Sequence, residues 1–388
     1  MITFGLLSSL LAAGYGVMFT VLDDYRDKYH IQERWLGAVV AIGFFSSFLA
    51  QVFLAPMADR GHARRLVVLG LVFNTAGLLA MAFGTTIWIL LFGRLIMGVG
   101  AGMAGPAIRR IVILTDPDNL GQNLGRLLAA DVGGFALGPA ISAVLVGPFG
   151  LASPFLVLAV ASVACLPMVA IFRVNETAVI DQHEARFAFD LLRSRPMVGA
   201  MIMGAAAFVM IGTFDSLWVL VLDDLHSPVW ISNIGITLFA LPLVIFGSAG
   251  GRLAQRHGPF RVAAFGLVMG SIFMTLYGQM PTAMAMFGLS MVHSINDAAT
   301  MTSTGVAVGM VSPPERQAGA QGLLGGIQTL TGGATAIVIS SIYQSAGRTV
   351  AYTTCAAGML TLVIVGARFA GRQWMTRNSS TGYQCVAG

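Results

Sequence analysis

Apolar runs of membrane length alternate along the chain with short polar breaks. Twelve can be drawn, at about 3–22, 35–56, 66–84, 87–110, 125–147, 152–172, 197–222, 229–251, 260–278, 282–310, 318–343 and 348–369. Most are near the roughly 20 residues a helix needs to cross the hydrocarbon of a bilayer, so each predicts one membrane-spanning helix. Spans 4 and 10 are longer, which predicts a last turn projecting beyond the membrane. Gly and Pro recur inside the runs, as they can where neighbouring helices re-satisfy the backbone.

The pattern repeats itself. The second and third runs are joined by a tight polar turn, LAPMADRGHARRL at residues 54–66, which returns 196 residues later in GSAGGRLAQRHGPFRV. Arg60 maps to Arg256, Arg65 to Arg261, Gly70 to Gly266 and Asp59 to Gln255. Val21-Leu22-Asp23-Asp24 recurs as Val221-Leu222-Asp223-Asp224 at an offset of 200. Two homologous halves follow. The expected organisation is an all-α membrane protein: a six-helix bundle over 1–172, a linker over 173–196, a second six-helix bundle over 197–370 and a polar tail over 371–388. Within the linker, Arg186 to Arg193 carries Phe187, Phe189, Leu191 and Leu192 and can form a short surface helix; a plain linker is the alternative.

Composition agrees with a lipid environment. Apolar residues make up 56% of the chain and charged residues 10%, against about 25% charged in soluble domains. The first run has no basic leader and no cleavage site, and reads as a retained helix. The net charge of +5 needs no nucleic acid to explain it, because 17 of the 22 Lys and Arg fall on one side if the N-terminus is cytoplasmic. Arg26, Lys28, Arg34 and Arg348 fall outside, and Arg94 lies within a span. Both termini are therefore expected in the cytoplasm. Cys165, Cys355 and Cys385 have no metal-ligand spacing. No HExxH, GxSxG or phosphate-cradling loop is present, so an enzyme is not expected, and neither is a cofactor or a metal.

Several motifs carry chemistry. Span 11 starts at the cytoplasmic face, and a helix N-terminus carries roughly half a positive charge. A carboxylate at Asp59 docked there would hold the halves together on the inside; the alternative is a purely topological signal. The counterpart Gln255 is neutral, which predicts a one-sided latch. Span 4 contains Arg94 followed by Gly98, Gly100 and Gly102. An Arg at that depth is costly and needs a partner or a watery cavity. Span 5 contains Gly125, Gly134 and Gly138-Pro139, a smooth face for close helix approach with a bend after it.

Acids occur within spans at Asp131, Asp215 and Asp297, and a carboxylate in such a place is a functional-site candidate by default. With Arg94 taken as the only basic partner at depth, the interior is net acidic and suits protons and cationic or neutral amphiphiles. Asp215 and Asp297 are expected on the cavity, Asp131 deeper on the packing span. Tyr15, Phe19, Phe214 and Trp218 flank the first span of each half and can line an amphiphile pocket or simply pack. Asp23 and Asp24 form a solvated rim, a cation-attracting mouth or partners for Arg94. His293, one turn before Asp297, can share its proton or be a hydrogen-bonded core residue.

The twelve spans, two halves and basic turn resemble the major facilitator superfamily of secondary transporters over essentially the whole chain. Ala58, Asp59, Arg60, Arg64 and Arg65 match its turn motif, while Ala55, His62 and Ala63 depart from it. The glycine spacing of span 5 is similar to that of its drug–proton antiporters, with Ser142 and Ala143 in place of a final Gly pair. The resemblance implies the major facilitator fold and transport by alternating access. It implies a latch built from Asp59, Arg60, Arg64, Arg65 and Arg256, and proton coupling through Arg94 with the span acids. The expected protein is a monomeric, proton-coupled exporter of small amphiphilic or cationic molecules in a bacterial plasma membrane, surrounded by lipid. A carrier of another cargo, or a non-transporting sensor, has the same sequence features.

Overall fold

The computed structural model describes residues 1–32, 34–171 and 187–375. The first half holds α1 (Ile2–Tyr29), α2 (Arg34–Phe53), α3 (Ala63–Phe83), α4 (Ile87–Thr115), α5 (Leu120–Phe149) and α6 (Ser153–Ile171). The second holds α7 (Arg195–Asp224), α8 (Val229–His257), α9 (Pro259–Tyr277), α10 (Ala283–Val311) and α11 (Gln317–Ala370). Helix is the form that satisfies every backbone group within one segment in lipid, and no strand occurs among the described residues. The fold is that of two pseudo-symmetric six-helix bundles.

Nine helical stretches among the described residues are long and apolar enough to cross a membrane. α11 is one of them and contains two of the expected spans. These are two helices that meet at the predicted break: Gly347, at φ 81° and ψ 176°, lies outside the helical region and separates them. A left-handed glycine there turns the chain without a loop. α6 has a shorter apolar core, Ser153–Val169. α10 is not among the nine, because its buried face is polar: Ser290, His293, Ser294, Asp297 and Thr300 all lie on it.

One buried apolar cluster draws mainly on α1–α6 and a second mainly on α7–α11. The halves meet where α5 runs along α8 and where α2 runs along the start of α11. Both seams lie at the end of the bundle that carries the 54–66 turn, called the basic end below. Gly121 faces Gly251 and Gly125 faces Gly247 so closely that a Cβ would overlap the opposite backbone. The turn itself is a 3-10 helix, Ala55–Arg60, closed by Gly61 at φ 80°. The left-handed residue is thus present one position before His62, where the resemblance expects it.

The linker and tail lie partly outside the described residues, which exclude 172–186 and 376–388 and so also Cys385. At the linker's end the expected surface helix is a 3-10 helix, Ala188–Arg193. It docks across the seam. Ala188 is buried, Phe187 and Phe189 meet Phe53 of α2 edge-on, and Asp190 Oδ1 accepts from Arg316 Nη2 at 2.6 Å.

Candidate functional site

A cleft of about 170 Å³ opens between α1, α2, α4 and α5, lined by Ser8, Leu11, Ala12, Tyr15, Gln51, Ala101, Gly105, Pro106, Arg109 and Asp131. Its walls follow from the glycine face of α5. Gly134 lies against Ser9 and Gly138 against Gly16 and Val17, which draws α1 and α5 into backbone contact. That contact places Ser8 beside Asp131, whose Oδ1 accepts from the Ser8 hydroxyl. Arg109 Nη2 lies 3.5 Å from Asp131 Oδ2, and the two side chains are 33% and 29% exposed. Asp131 therefore belongs to the cleft, not to a packing face, and has Arg109 as its basic partner. Arg109 reads in the sequence as one of the basic residues at a span end, and nothing local distinguishes it from a topological signal.

Phe19 and Phe44 stand 6.4 Å apart, Phe19 and Phe135 6.0 Å, and Tyr15 and Phe44 6.2 Å, with Phe19, Phe44 and Phe135 substantially exposed. Of these four only Tyr15 lines the cleft, and the three phenylalanines form a partly exposed aromatic group adjoining it. Asp215 is exposed on α7 and follows Tyr15 by 200 residues, so it occupies in the second half the register Tyr15 holds on the cleft wall. Phe214 and Trp218 do not line this cleft. Both are buried, their rings stacked at 4.6 Å, and Phe214 stacks on Phe239 at 4.6 Å within the second half's core. At the far end Asp23 pairs with Arg26 at 3.1 Å and Asp24 is exposed, which is the solvated rim.

Asp297 is 4% exposed and lies inside the second half rather than on the cleft. His293 Nε2 is 3.3 Å from its Oδ1, and His293 Nδ1 is 3.0 Å from the Tyr277 hydroxyl of α9. The imidazole stacks on Phe273 at 4.8 Å. The expectation of a cavity position fails on helical phase: residues 290, 293, 294 and 297 share the face of α10 that packs inward. The result is a buried chain of three polar groups, Tyr277, His293 and Asp297.

Arg94 is fully buried, with its guanidinium carbon 3.9 Å from the centre of the Tyr15 ring and 6.0 Å from that of Phe44. None of its three guanidinium nitrogens meets a hydrogen-bond partner among the described residues. Neither Asp23 nor Asp24 reaches it. The charge is held by stacking on an aromatic face, a cation–π contact.

At the basic end Asp59 bridges the halves. Its carboxylate accepts from the backbone N–H of Ala318 at 2.9 Å and of Gly319 at 2.7 Å, the first turn of α11. Arg110 Nε donates to it at 2.9 Å. Arg60, Arg64, Arg65 and Arg256 are exposed, and the buried Arg110 is a further cation at this contact, paired with Asp59. The second half is not without a latch. Gln255 Oε1 accepts from Gly121 N–H at 2.7 Å, in the first turn of α5, and its Nε2 donates to the Asp118 carbonyl at 2.9 Å. The latch is lopsided in charge and symmetric in geometry.

Comparison with known proteins gives a consistent result. A family model described as Major Facilitator Superfamily matches residues 4–232. Multidrug resistance protein 2 of Bacillus subtilis is 26% identical over 288 residues, covering 69% of this chain and 70% of that protein. Multidrug resistance protein MdtG of Proteus mirabilis is 26% identical over 282 residues, 69% of each. In three dimensions the chain matches the crystal structure of the human organic anion transporter MFSD10 (TETRAN) with a TM-score of 0.75 at 17% identity, covering 94% of this chain and 97% of that one. At that identity the likeness is one of fold.

Proposed function

The chain belongs to the Major Facilitator Superfamily, and on that premise we propose that this multi-pass membrane transporter is a proton-coupled exporter of cationic or neutral amphiphiles. The observation that carries the reading is the cleft: a carboxylate, Asp131, half-satisfied by Arg109 and Ser8, beside a partly exposed aromatic group. Such a carboxyl can hold a proton, the Arg109 charge or a cationic cargo, but not all at once. Competition among the three is sufficient for exchange. Asp215, which corresponds to Tyr15 in the second half, is the candidate second carboxylate, and the two relatives named as multidrug resistance proteins support export of small molecules. Arg109 itself supports one other reading, a weakly acidic or zwitterionic cargo whose anionic group takes the place of Asp131.

The distribution of Lys and Arg makes the basic end cytoplasmic. The arrangement is then closed to the cytoplasm and faces outward. Cysteines placed singly at 60, 64 and 65 are expected to react with an impermeant reagent only from the inside of the cell. Labelling from outside would overturn the orientation.

Asp59→Asn is expected to weaken the cytoplasmic contact, because a neutral amide forfeits the Arg110 ion pair and accepts less strongly from the two N–H groups. Spin labels at positions 64 and 256 should report a wider, broader distance distribution in the variant. Adding Gln255→Ala should widen it further. Unchanged distances with full transport would remove the latch. The function itself is tested in inverted vesicles, with a fluorescent lipophilic cation as cargo and an imposed pH gradient. Uptake that follows the gradient and collapses with a protonophore is expected; uptake indifferent to it excludes proton coupling.

A further inference from the structure

Arg94 needs room as well as a ring to lie on, and α2 supplies it. A Cβ built on Gly43 would come within 2.6 Å of the Arg94 guanidinium carbon and Nε and 2.9 Å of Nη2. These are the three nearest atoms, and all belong to one side chain. Gly98, on the facing helix, is different: a Cβ there would meet Gly43 backbone as well as the Ser46 hydroxyl. Gly98 lets two helices cross closely. Gly43 makes a berth for a guanidinium.

The other wall of the berth is Tyr15, which also lines the cleft, whereas Arg94 does not. The ring therefore stands between a buried, unbonded cation and the space where Asp131 lies. A charge in low dielectric acts over longer distances than one in water, so its placement behind that ring matters to the cleft. We propose that Gly43 is a positioning residue, holding the Arg94 guanidinium against Tyr15 and so fixing where its charge acts on the coupling site. The inference rests on the proposed role of the cleft in proton coupling. Any side chain at position 43 has to displace the guanidinium, the flexible member of the contact, and leaves the α2 backbone where it is. Alanine also favours helix over glycine, so α2 is not weakened.

The test uses the full chain in proteoliposomes, with Gly43→Ala, Arg94→Ala and the double variant. A fluorescent lipophilic cation is followed with a pH gradient and, separately, down its own gradient. Gly43→Ala is expected to lower gradient-driven flux on the order of tenfold or more, as misplacement of a functional group by about an ångström can. KM and downhill flux should stay within about twofold of the parent. In the Arg94→Ala background the same substitution should change nothing further. An unaffected Gly43→Ala variant, equal loss of driven and downhill flux, or an additional loss in the double variant would each overturn the berth. If Gly43→Ala fails to insert, the double variant must insert, since the obstructing guanidinium is gone; a double variant that also fails overturns the proposal. If Arg94→Ala alone keeps full gradient-driven flux, the coupling role of Arg94 is what fails. The berth is then judged separately on melting temperature, which Gly43→Ala should lower only when Arg94 is present.

Discussion

Gly138→Leu is expected to abolish transport while leaving the protein in the membrane. A Cβ at this position would lie 2.6 Å from the Gly16 Cα and closer still to other backbone atoms of Gly16 and Val17. Neither backbone can give way as a flexible side chain would, so α1 and α5 must part by the width of a side chain. Gly134 faces Ser9 along the same line, and Gly134→Leu should behave alike. Parting the helices separates Ser8 from Asp131 and dismantles the cleft wall. Flux in vesicles should fall on the order of a hundredfold, in keeping with the sensitivity of function to small misplacements. The amount and monodispersity of the purified variant should remain near those of the parent. Ordinary flux would mean that the close approach of α1 and α5 is not required.

Asp131→Asn is expected to separate binding from coupling. The substitution leaves Arg109 in the cleft without its carboxylate, so the site becomes net positive and repels a cationic cargo. Gradient-driven export of a lipophilic cation should drop about a hundredfold, the scale on which loss of correct placement at a functional site acts. Binding of a neutral amphiphile should persist. Proton release on adding cationic cargo to purified protein should vanish. Asp131→Asn with Arg109→Gln should recover cation binding without restoring coupling, because the charge is balanced again but no group titrates. If Asp131→Asn still releases protons like the parent, the coupling carboxylate is Asp215, and the same measurement on Asp215→Asn decides it.

The spans were legible because the bilayer imposes one length on all of them. α3 and α9, expected at 66–84 and 260–278, fall at Ala63–Phe83 and Pro259–Tyr277. Where a helix outruns the hydrocarbon the pattern misleads. α1 continues to Tyr29 through Asp23, Asp24 and Arg26, residues that look like a loop, yet an i,i+3 ion pair between Asp23 and Arg26 lies along the helix surface.

Side-chain roles were harder to read than spans. Asp59 announces itself by type and position, whereas Asp131 does so by type alone, since its span reads as a packing one. Arg109 and Arg110 do not, since a basic pair at a span end is what any cytoplasmic boundary shows. Gln255 reads as a missing acid until its amide is seen to do in neutral form what Asp59 does with charge. For Phe214 and Trp218 the sequence leaves pocket and packing both open, and for Asp297 it suggests the cavity, because helix rotation is not visible in it. Sequence spacing says which residues share a face, but not which neighbour that face meets. The Tyr277–His293 contact joins two helices and leaves no local signature.

The polar face of α10 has a consequence for how the chain is made. A segment enters the bilayer from the translocon according to its own apolarity, and a single Asp near a helix centre opposes entry by about 2.5–3.5 kcal/mol. α10 carries Asp297 beside His293 and a row of hydroxyls. It therefore has reason to wait for a companion during synthesis. α9, apolar enough to span by itself, already offers the Tyr277 hydroxyl that His293 meets in the finished protein. The two should leave the translocon as a hairpin. Spliced alone into a reporter, α10 should be passed through to the lumen in large part; preceded by α9, it should stay.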